Sequence, residues 1–155
     1  MGSMERKLLK HYIVHTDGGS RGNPGKAAVG IIIDEKTPDG NIVRVESHGE
    51  YIGVATNNVA EYFAVSVALS HLIALESNLK HDEKIYEFYL DSLLVVQQLN
   101  GVYKVKDATL RSFVVSIRTL EQTLGGTVQY KAVRRALNTD ADAEVNKVLD
   151  TRASD

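Results

Sequence analysis

The spacing of apolar residues changes along this chain, and that change limits its possible folds more than any other feature. Up to Thr56 apolar residues alternate or form short runs, which predicts three strands at residues 11–16, 28–34 and 41–54. After Thr56 they recur mostly at helical spacing, which predicts helices at 59–79, 92–99, 107–124 and 138–149, with strands at 85–90 and 127–133. The order β-β-β-α-β-α-α-β-α predicts an α/β fold. Its five-stranded mixed sheet would have three antiparallel strands first, with helices on both faces.

The length and composition are those of one globular domain. The chain has 155 residues, of which 43% are hydrophobic and 25% charged, as in ordinary globular proteins. We expect residues 11–150 to form a single domain. Residues 1–10 are interpreted as a lead-in that begins with an expression scar, and residues 151–155 are expected to fray.

Composition also excludes several classes of function. The chain contains no cysteine, which excludes disulfides, thiolate metal sites and a cysteine nucleophile. No apolar run approaches the roughly 20 residues of a bilayer span, and no signal-peptide pattern opens the sequence. We therefore expect a cytoplasmic monomer without a membrane partner. Because the net charge is -2, a polyanionic partner would have to be held by local patches or by bound cations.

One carboxylate, Asp17, stands between two apolar runs near the start of the chain. It is followed by the sequence Gly18-Gly19-Ser20-Arg21-Gly22-Asn23-Pro24-Gly25. Glycine and asparagine tolerate positive φ angles and proline fixes φ near -65°. The stretch therefore predicts a strand that ends at Asp17 and feeds a tight turn, where a ligand could approach the backbone closely. An ordinary hairpin loop with a solvated aspartate is the alternative interpretation.

Three further carboxylates stand at comparable junctions. Glu61 lies in the first turn of the first predicted helix, Asp91 ends the fourth strand, and Asp142 lies in the first turn of the last helix. If strands one and four are parallel neighbours, Asp17 and Asp91 leave the sheet at the same edge, where open α/β sheets bind ligands. Helix capping is the alternative: Asn58 and Glu61 fit a capping box, Asp91 fits an N-cap, and a looser box would explain Asp142.

Carboxylates gathered in one cleft point to metal ions. They repel one another, so they either raise each other's pKa values or bind cations. Ligand sets made only of oxygen select hard ions, Mg²⁺ or Mn²⁺, over zinc. Two such ions about 4 Å apart can activate a water molecule and stabilise the leaving oxygen of an in-line phosphoryl displacement. The pattern predicts two Mg²⁺ ions, for which Mn²⁺ could substitute.

Four ordered motifs resemble those of type 1 ribonuclease H, over nearly the whole chain from about Tyr12 to Asp150. They are Thr16-Asp17-Gly18-Gly19-Ser20-Arg21-Gly22-Asn23-Pro24-Gly25, Thr56-Asn57-Asn58-x-x-Glu61, Asp91-Ser92 with Tyr103-Lys104-Val105-Lys106-Asp107, and Asn138-x-x-Ala141-Asp142. The resemblance implies the spatial strand order 3-2-1-4-5. It also implies a metal-dependent endonuclease that hydrolyses the RNA strand of RNA–DNA hybrids and leaves 5′-phosphate and 3′-hydroxyl ends.

The resemblance assigns roles position by position. The catalytic metal ligands would be Asp17, Glu61, Asp91 and Asp142, with Asp17 bridging both ions. The RNA 2′-hydroxyl, which distinguishes RNA from DNA, would be read by the first loop and the start of the first helix. The residues expected to bind substrate are Gly18, Gly19, Asn23, Thr56, Asn57, Asn58, Ser92, Lys104, Lys106 and Arg135.

Two features depart from the pattern of many family members. Many carry a histidine in the loop before the last aspartate, but residues 131–141 contain none. Arg135 is expected to contact phosphate in its place, and a solvated loop cation is the alternative. A lysine-rich helix-loop that some relatives insert after the second helix is also missing. No separate hybrid-binding domain precedes the first strand, so we expect modest hybrid affinity, with Lys104 and Lys106 contacting DNA phosphates or else only solvent.

Three other functions stay open at this point. One is a nuclease of the same fold that cuts double-stranded RNA or junctions carrying a single ribonucleotide. Another is a non-catalytic module that binds hybrids, although four clustered negative charges do not help a protein to bind a polyanion without metal. The third is an interaction protein in which the four acids only cap helices, and it would bind no Mg²⁺.

Overall fold

The computed structural model describes residues 9–76 and 83–153. The expected expression scar, positions 77–79 of the first predicted helix and the last two residues lie outside the described residues. The strands are β1 (Leu9–Gly22), β2 (Gly25–Lys36), β3 (Ile42–Ala55), β4 (Glu83–Leu90) and β5 (Thr127–Ala132). The helices are α1 (Asn57–Glu76), α2 (Leu93–Leu99), α3 (Ala108–Leu124) and α4 (Thr139–Arg152), with a 3₁₀ helix at Arg135–Leu137.

The strands form one mixed sheet in the order β3-β2-β1-β4-β5. Strands β1, β2 and β3 pair antiparallel, whereas β4 is parallel to both β1 and β5. Helix α1 packs on one face and α4 on the other, as shown by the side chains that each buries. The predicted fold class, a five-stranded mixed sheet covered by helices on both faces, is confirmed.

The first strand is longer than predicted. Instead of ending at Asp17, β1 continues to pair with β2 until Gly22 lies opposite Gly25, and Asp17 itself lies opposite Gly30. The prediction of a turn starting at Asp17 is therefore wrong, because β2 offers ladder partners as far as Gly25. The parallel pairing of β1 with β4 ends earlier, at His15. Asp17 thus lies just past the end of the parallel pair.

The face under α1 contains most of the hydrophobic core. Val14, Val29 and Ile31 of the sheet are fully buried and belong to one apolar cluster with Leu69 and Leu72 of α1. By length and composition α1 could also span a membrane, with a mean hydropathy of 1.4. A core helix has the same composition, and this one packs its apolar side chains on the sheet.

The opposite face brings α4 very close to the sheet. Val145 and Leu149 pack with Ala28 of β2. At Gly30, an added Cβ would lie 2.2 Å from the carbonyl oxygen of Ala141. Glycine is therefore required at this position because the helix backbone contacts the strand backbone. This contact sets the height of α4 above the sheet, and with it the position of the helix's first turn.

The end of α4 is ordered further than predicted. Fraying from residue 151 was expected, but the helix continues to Arg152. The Arg152 guanidinium lies 4.1 Å from the centre of the Tyr51 ring, and its carbonyl accepts a hydrogen bond from Lys26 Nζ. These contacts join the last turn to β2 and β3, and α4 thus extends three residues past the predicted end at 149. The last two residues lie outside the described part of the chain.

The Gly30 contact gives a test of the packing. Gly30→Ala should lower the free energy of unfolding by about 1–3 kcal/mol, the usual cost of overpacking, as measured by urea denaturation. Gly19→Ala is the matched control, since a Cβ there would be an ordinary 3.7 Å from Val145, and should cost about 0.5 kcal/mol or less. Equal effects of the two substitutions would contradict the close contact of α4.

Candidate active site

Four carboxylates from four elements meet at one edge of the sheet. Asp17 comes from β1, Glu61 from the second turn of α1, Asp91 from the residue after β4, and Asp142 from the first turn of α4. Carboxylate oxygens of Asp17, Glu61 and Asp91 lie within 4.8 Å of one another. All four side chains line a cavity of about 460 Å³, here called the carboxylate pocket. Asp17 and Asp91 do emerge at the same edge, as the parallel pairing requires.

The capping alternatives do not explain these carboxylates. Ser92, not Asp91, caps α2 and accepts a hydrogen bond from the Val95 N–H at 3.3 Å. Thr56 caps α1 through the Val59 N–H at 3.2 Å, so the capping box proposed for Asn58 and Glu61 is wrong. Helix α4 has no side-chain cap.

Burial and mutual repulsion change the ionisation of the pocket. Burial, followed by the neighbouring charges of Asp91 and Asp142, raises the pKa of Asp17 to about 7, while Arg135 opposes the shift. The pKa of Glu61 is raised well above its usual value, chiefly by burial and then by Asp17 and Asp91. Without a cation the pocket therefore holds protons at neutral pH, because several close negative charges cannot all persist there.

The donor set fits divalent cations. Glu61 Oε2 is buried and has no hydrogen-bond partner among the described residues. A potential ligand oxygen of the pocket therefore lacks the partner that buried polar atoms usually have. Asp142 helps to raise the pKa of Asp17, and Asp17 helps to raise that of Glu61, so protons offset the repulsion among these carboxyl groups. A cation can take the place of those protons. Ligands that are all oxygen suit Mg²⁺ or Mn²⁺.

Two local features bring the starts of helices α1 and α4 close to Asp17. An added Cβ at Gly18 would lie 2.2 Å from the backbone of Ala60, so glycine lets α1 touch β1. The backbone of Gly18 opposes the rise in the pKa of Glu61. On the other face, buried Asn138 donates from Nδ2 to the Thr16 carbonyl at 2.9 Å and thereby fixes the start of α4 beside Asp17.

A set of ion pairs fixes the first turn of α4 further. Arg44 of β3 binds Asp34 of β2 at 2.6 Å and Asp140 of α4 at 3.0 Å. His15 lies beside this set, and its ring stacks on Tyr89 at 5.2 Å between centres. His15 is thus packed on Tyr89, and burial lowers its pKa.

The predicted substrate-binding residues form two groups in the structure. Gly18, Gly19, Asn57, Asn58, Ser92 and Arg135 line the carboxylate pocket itself. A second depression, of about 520 Å³, lies beside it and includes Asn23, Thr56, Asn57 and Asn58. The two groups share Asn57 and Asn58, which stand at the start of α1.

Hydrogen bonds hold the turn after β1 against α1. Asn23 accepts from the Asn57 N–H at 3.0 Å, and the Asn57 side chain accepts from the Ser20 N–H at 2.9 Å. Asn23 therefore supports the loop between β1 and β2. Lys104 and Lys106 are exposed in the segment between α2 and α3 and line neither depression. No helix is inserted in that segment, as predicted.

Arg135 and two residues missed by the sequence analysis complete the pocket wall. Arg135 Nε lies 3.6 Å from Asp91 Oδ2, although the arginine side chain is 85% exposed. Asn146 donates to Asp142 at 3.2 Å and lines the pocket, as does Arg21. The i, i+4 spacing of Asn146 and Asp142 places both on one helix face and could have indicated that Asn146 contacts Asp142. No comparable spacing indicated a role for Arg21.

The chain is similar to known proteins over most of its length. The RNase H family model matches residues 9–147. Ribonuclease HI of Halobacterium salinarum is 41% identical over 136 residues, which are 86% of this chain and 62% of that protein. The bifunctional protein Rv2228c of Mycobacterium tuberculosis is 37% identical over 141 residues, 91% of this chain and 36% of that protein. The chain thus spans only about a third to two thirds of these relatives.

Solved structures are similar over nearly all of the chain. LC11-RNase H1, crystallised in complex with an RNA/DNA hybrid, has a TM-score of 0.81 and 37% identity, covering 92% of this chain and 99% of that one. The N-terminal RNase H domain of Rv2228c has a TM-score of 0.79 and 34% identity, covering 94% and 97%. With the family model, these matches show that the chain belongs to the RNase H family, among its type 1 members.

Proposed function

We propose that this protein is an endoribonuclease that hydrolyses the RNA strand of RNA–DNA hybrids with two divalent metal ions. The observation that carries the proposal is the carboxylate pocket, in which oxygens of Asp17, Glu61 and Asp91 lie within 4.8 Å of one another. Family membership supports dependence on a divalent metal. The hybrid bound to LC11-RNase H1, a structural neighbour over 92% of the chain, supports the substrate.

Asp17, Glu61, Asp91 and Asp142 would hold the ions, which we take to be Mg²⁺, with Mn²⁺ as a substitute. When bound, such ions lower the pKa of the attacking water and offset charge on the leaving oxygen, giving 5′-phosphate and 3′-hydroxyl ends. The protein's own contribution is to hold four oxygen donors at fixed places, two of them, Asp17 and Glu61, on buried side chains, where their electrostatic effect is stronger than in water.

The start of α1 would position the hybrid. The positive end of this 20-residue helix faces the second depression, together with the Thr56 hydroxyl and the Asn58 side chain. Helix N-termini attract phosphate groups through the positive end of the helix dipole. We therefore place a phosphate of the DNA strand there, and the RNA strand over Gly18 and Gly19 at the carboxylate pocket.

Asp17→Asn should abolish cleavage of a labelled RNA–DNA hybrid in Mg²⁺. We expect a loss of at least about 100-fold, because even changes outside the ligand shell of a metal cost about 10–100-fold. Asp39→Asn is the matched control, since Asp39 is an exposed aspartate in the turn between β2 and β3 that lines neither depression.

The same assay should include duplex RNA, duplex DNA and a duplex with a single ribonucleotide. Cleavage of the hybrid alone supports the proposal. Preferred cleavage of duplex RNA, or of the duplex with a single ribonucleotide, would instead show that the protein is a nuclease of the same fold with that other substrate. Binding without cleavage in Mg²⁺ or Mn²⁺ would leave only the binding module and refute the enzyme.

The affinity for Mg²⁺ should depend on pH. Because the pKa of Asp17 is raised to about 7, most molecules must lose a proton before binding metal at pH 6, and few must do so at pH 8. The apparent Kd, measured by isothermal titration calorimetry, should therefore fall about tenfold from pH 6 to pH 8. Asp39→Asn should keep this dependence. A Kd independent of pH would contradict a protonated, metal-free pocket.

Arg135 would contact a phosphate of the hybrid near Asp91. Arg135→Ala should raise the KM for hybrid a few-fold, consistent with about 0.2–1 kcal/mol for an exposed ion pair, and should change kcat less. Arg134→Ala is the control, because Arg134 is equally exposed but does not line the pocket. Unchanged kcat and KM in Arg135→Ala would show that Arg135 is only a solvated loop cation.

A further inference from the structure

A second group of metal-binding side chains lies on the α1 face of the sheet, and it shares no residue with the carboxylate pocket. Potential ligand atoms of Glu46, His48 and His71 lie within 4.8 Å of one another. Glu46 and His48 are two residues apart on β3, so their side chains leave the strand on the same face. His71 reaches them from α1. The group therefore bridges the outer strand of the sheet and the helix that covers it.

The register shows why these side chains converge. Glu46 and His48 lie opposite Ile33 and Ile31 of β2, whose side chains are buried under α1. Glu46, His48 and His71 thus lie on the same face of the sheet as the hydrophobic core, beside the edge of that core. Its side chains are 26% to 32% exposed, which is enough burial to fix them and enough exposure for an ion to enter.

The chemistry of this group differs from that of the carboxylate pocket. Two imidazoles and one carboxylate are a ligand set of zinc sites, in which three protein ligands leave a fourth position for water. Imidazole nitrogen suits transition metals such as Zn²⁺, whereas Mg²⁺ prefers oxygen. The two pockets are therefore expected to select different ions.

The contacts already present resemble those around metal-bound histidines. His71 Nδ1 contacts Glu46 Oε1, and the rings of His48 and His71 are 4.6 Å apart between centres. His48 Nε2 lies 3.0 Å from Glu50 Oε1, and a carboxylate on one ring nitrogen is the usual device that orients a histidine whose other nitrogen binds metal. A simple histidine–carboxylate pair has no reason to bring in a second imidazole.

We propose that Glu46, His48 and His71 form a binding site for one Zn²⁺ ion, with Glu50 orienting His48. The ion ties outer strand β3 to α1. This proposal is independent of the proposed function, since it uses different residues and a different metal. It concerns stability of the fold, because β3 otherwise pairs with a single strand, β2, within the described sheet.

The test is Zn²⁺ titration by calorimetry in the presence of excess Mg²⁺, which occupies the carboxylate pocket. The wild type and Asp17→Asn should each bind one Zn²⁺, and His71→Gln and His48→Gln should bind it at least about tenfold more weakly. His11→Gln is the matched control: His11 contacts Glu87 at 3.1 Å and belongs to no described metal-ligand group. It should bind Zn²⁺ as the wild type does.

Two further measurements distinguish loss of the Zn²⁺ site from misfolding of the variants. Zn²⁺ should raise the Tm of the wild type and of Asp17→Asn, but not that of His71→Gln, whose fold is checked by circular dichroism. Co²⁺ added to the wild type in excess Mg²⁺ should give the intense visible absorption of a four-coordinate site. Zn²⁺ binding that survives in both histidine variants, or that is lost in Asp17→Asn, would overturn the proposal. A weak, six-coordinate Co²⁺ spectrum would overturn it as well.

Discussion

The repulsion among buried carboxylates is the constraint on which the rest of this structure depends. Two full charges less than 4.8 Å apart repel by roughly 3 to 4 kcal/mol at an effective dielectric constant of about 20. Three such charges, with Asp142 beside Asp17, would strain the fold considerably. Protons relieve the repulsion in the metal-free protein, where burial, followed by the charges of Asp91 and Asp142, raises the pKa of Asp17 to about 7. Divalent cations would relieve it more completely.

Close backbone contacts hold this arrangement, and the side chains of Arg44 and Asn138 fix the start of α4 further. Parallel pairing of β1 and β4 brings Asp17 and Asp91 to one edge. Gly18 admits the start of α1, and Gly30 admits α4 on the opposite face. A site that is unfavourable in itself is thus supported by two helices that pack on the core. Positions supported in this way are stiff, which suits a site that must hold oxygen donors at fixed places.

Much of this was predictable from the sequence, and the rest depended on contacts between distant segments. Alternation and helical spacing predicted every strand and α-helix but not the 3₁₀ helix at Arg135–Leu137, and the family motifs predicted the strand order. The length of β1 beyond Asp17 was missed because it depends on pairing with β2. Thr56 was missed as the cap of α1 because several polar residues adjoin one another there. The approach of His48 to His71 joins β3 to α1, and no local pattern indicates it.

The most direct test of the account is to locate metal ions in crystals soaked with Mn²⁺, by anomalous scattering. The account predicts two peaks about 3.5–4 Å apart in the carboxylate pocket, within coordination distance of Asp17, Glu61 and Asp91. Both peaks should be lost in Asp17→Asn. Cleavage-competent protein that shows no peak in this pocket, or whose Mn²⁺ binds only elsewhere, would contradict the claim that these carboxylates form a metal site.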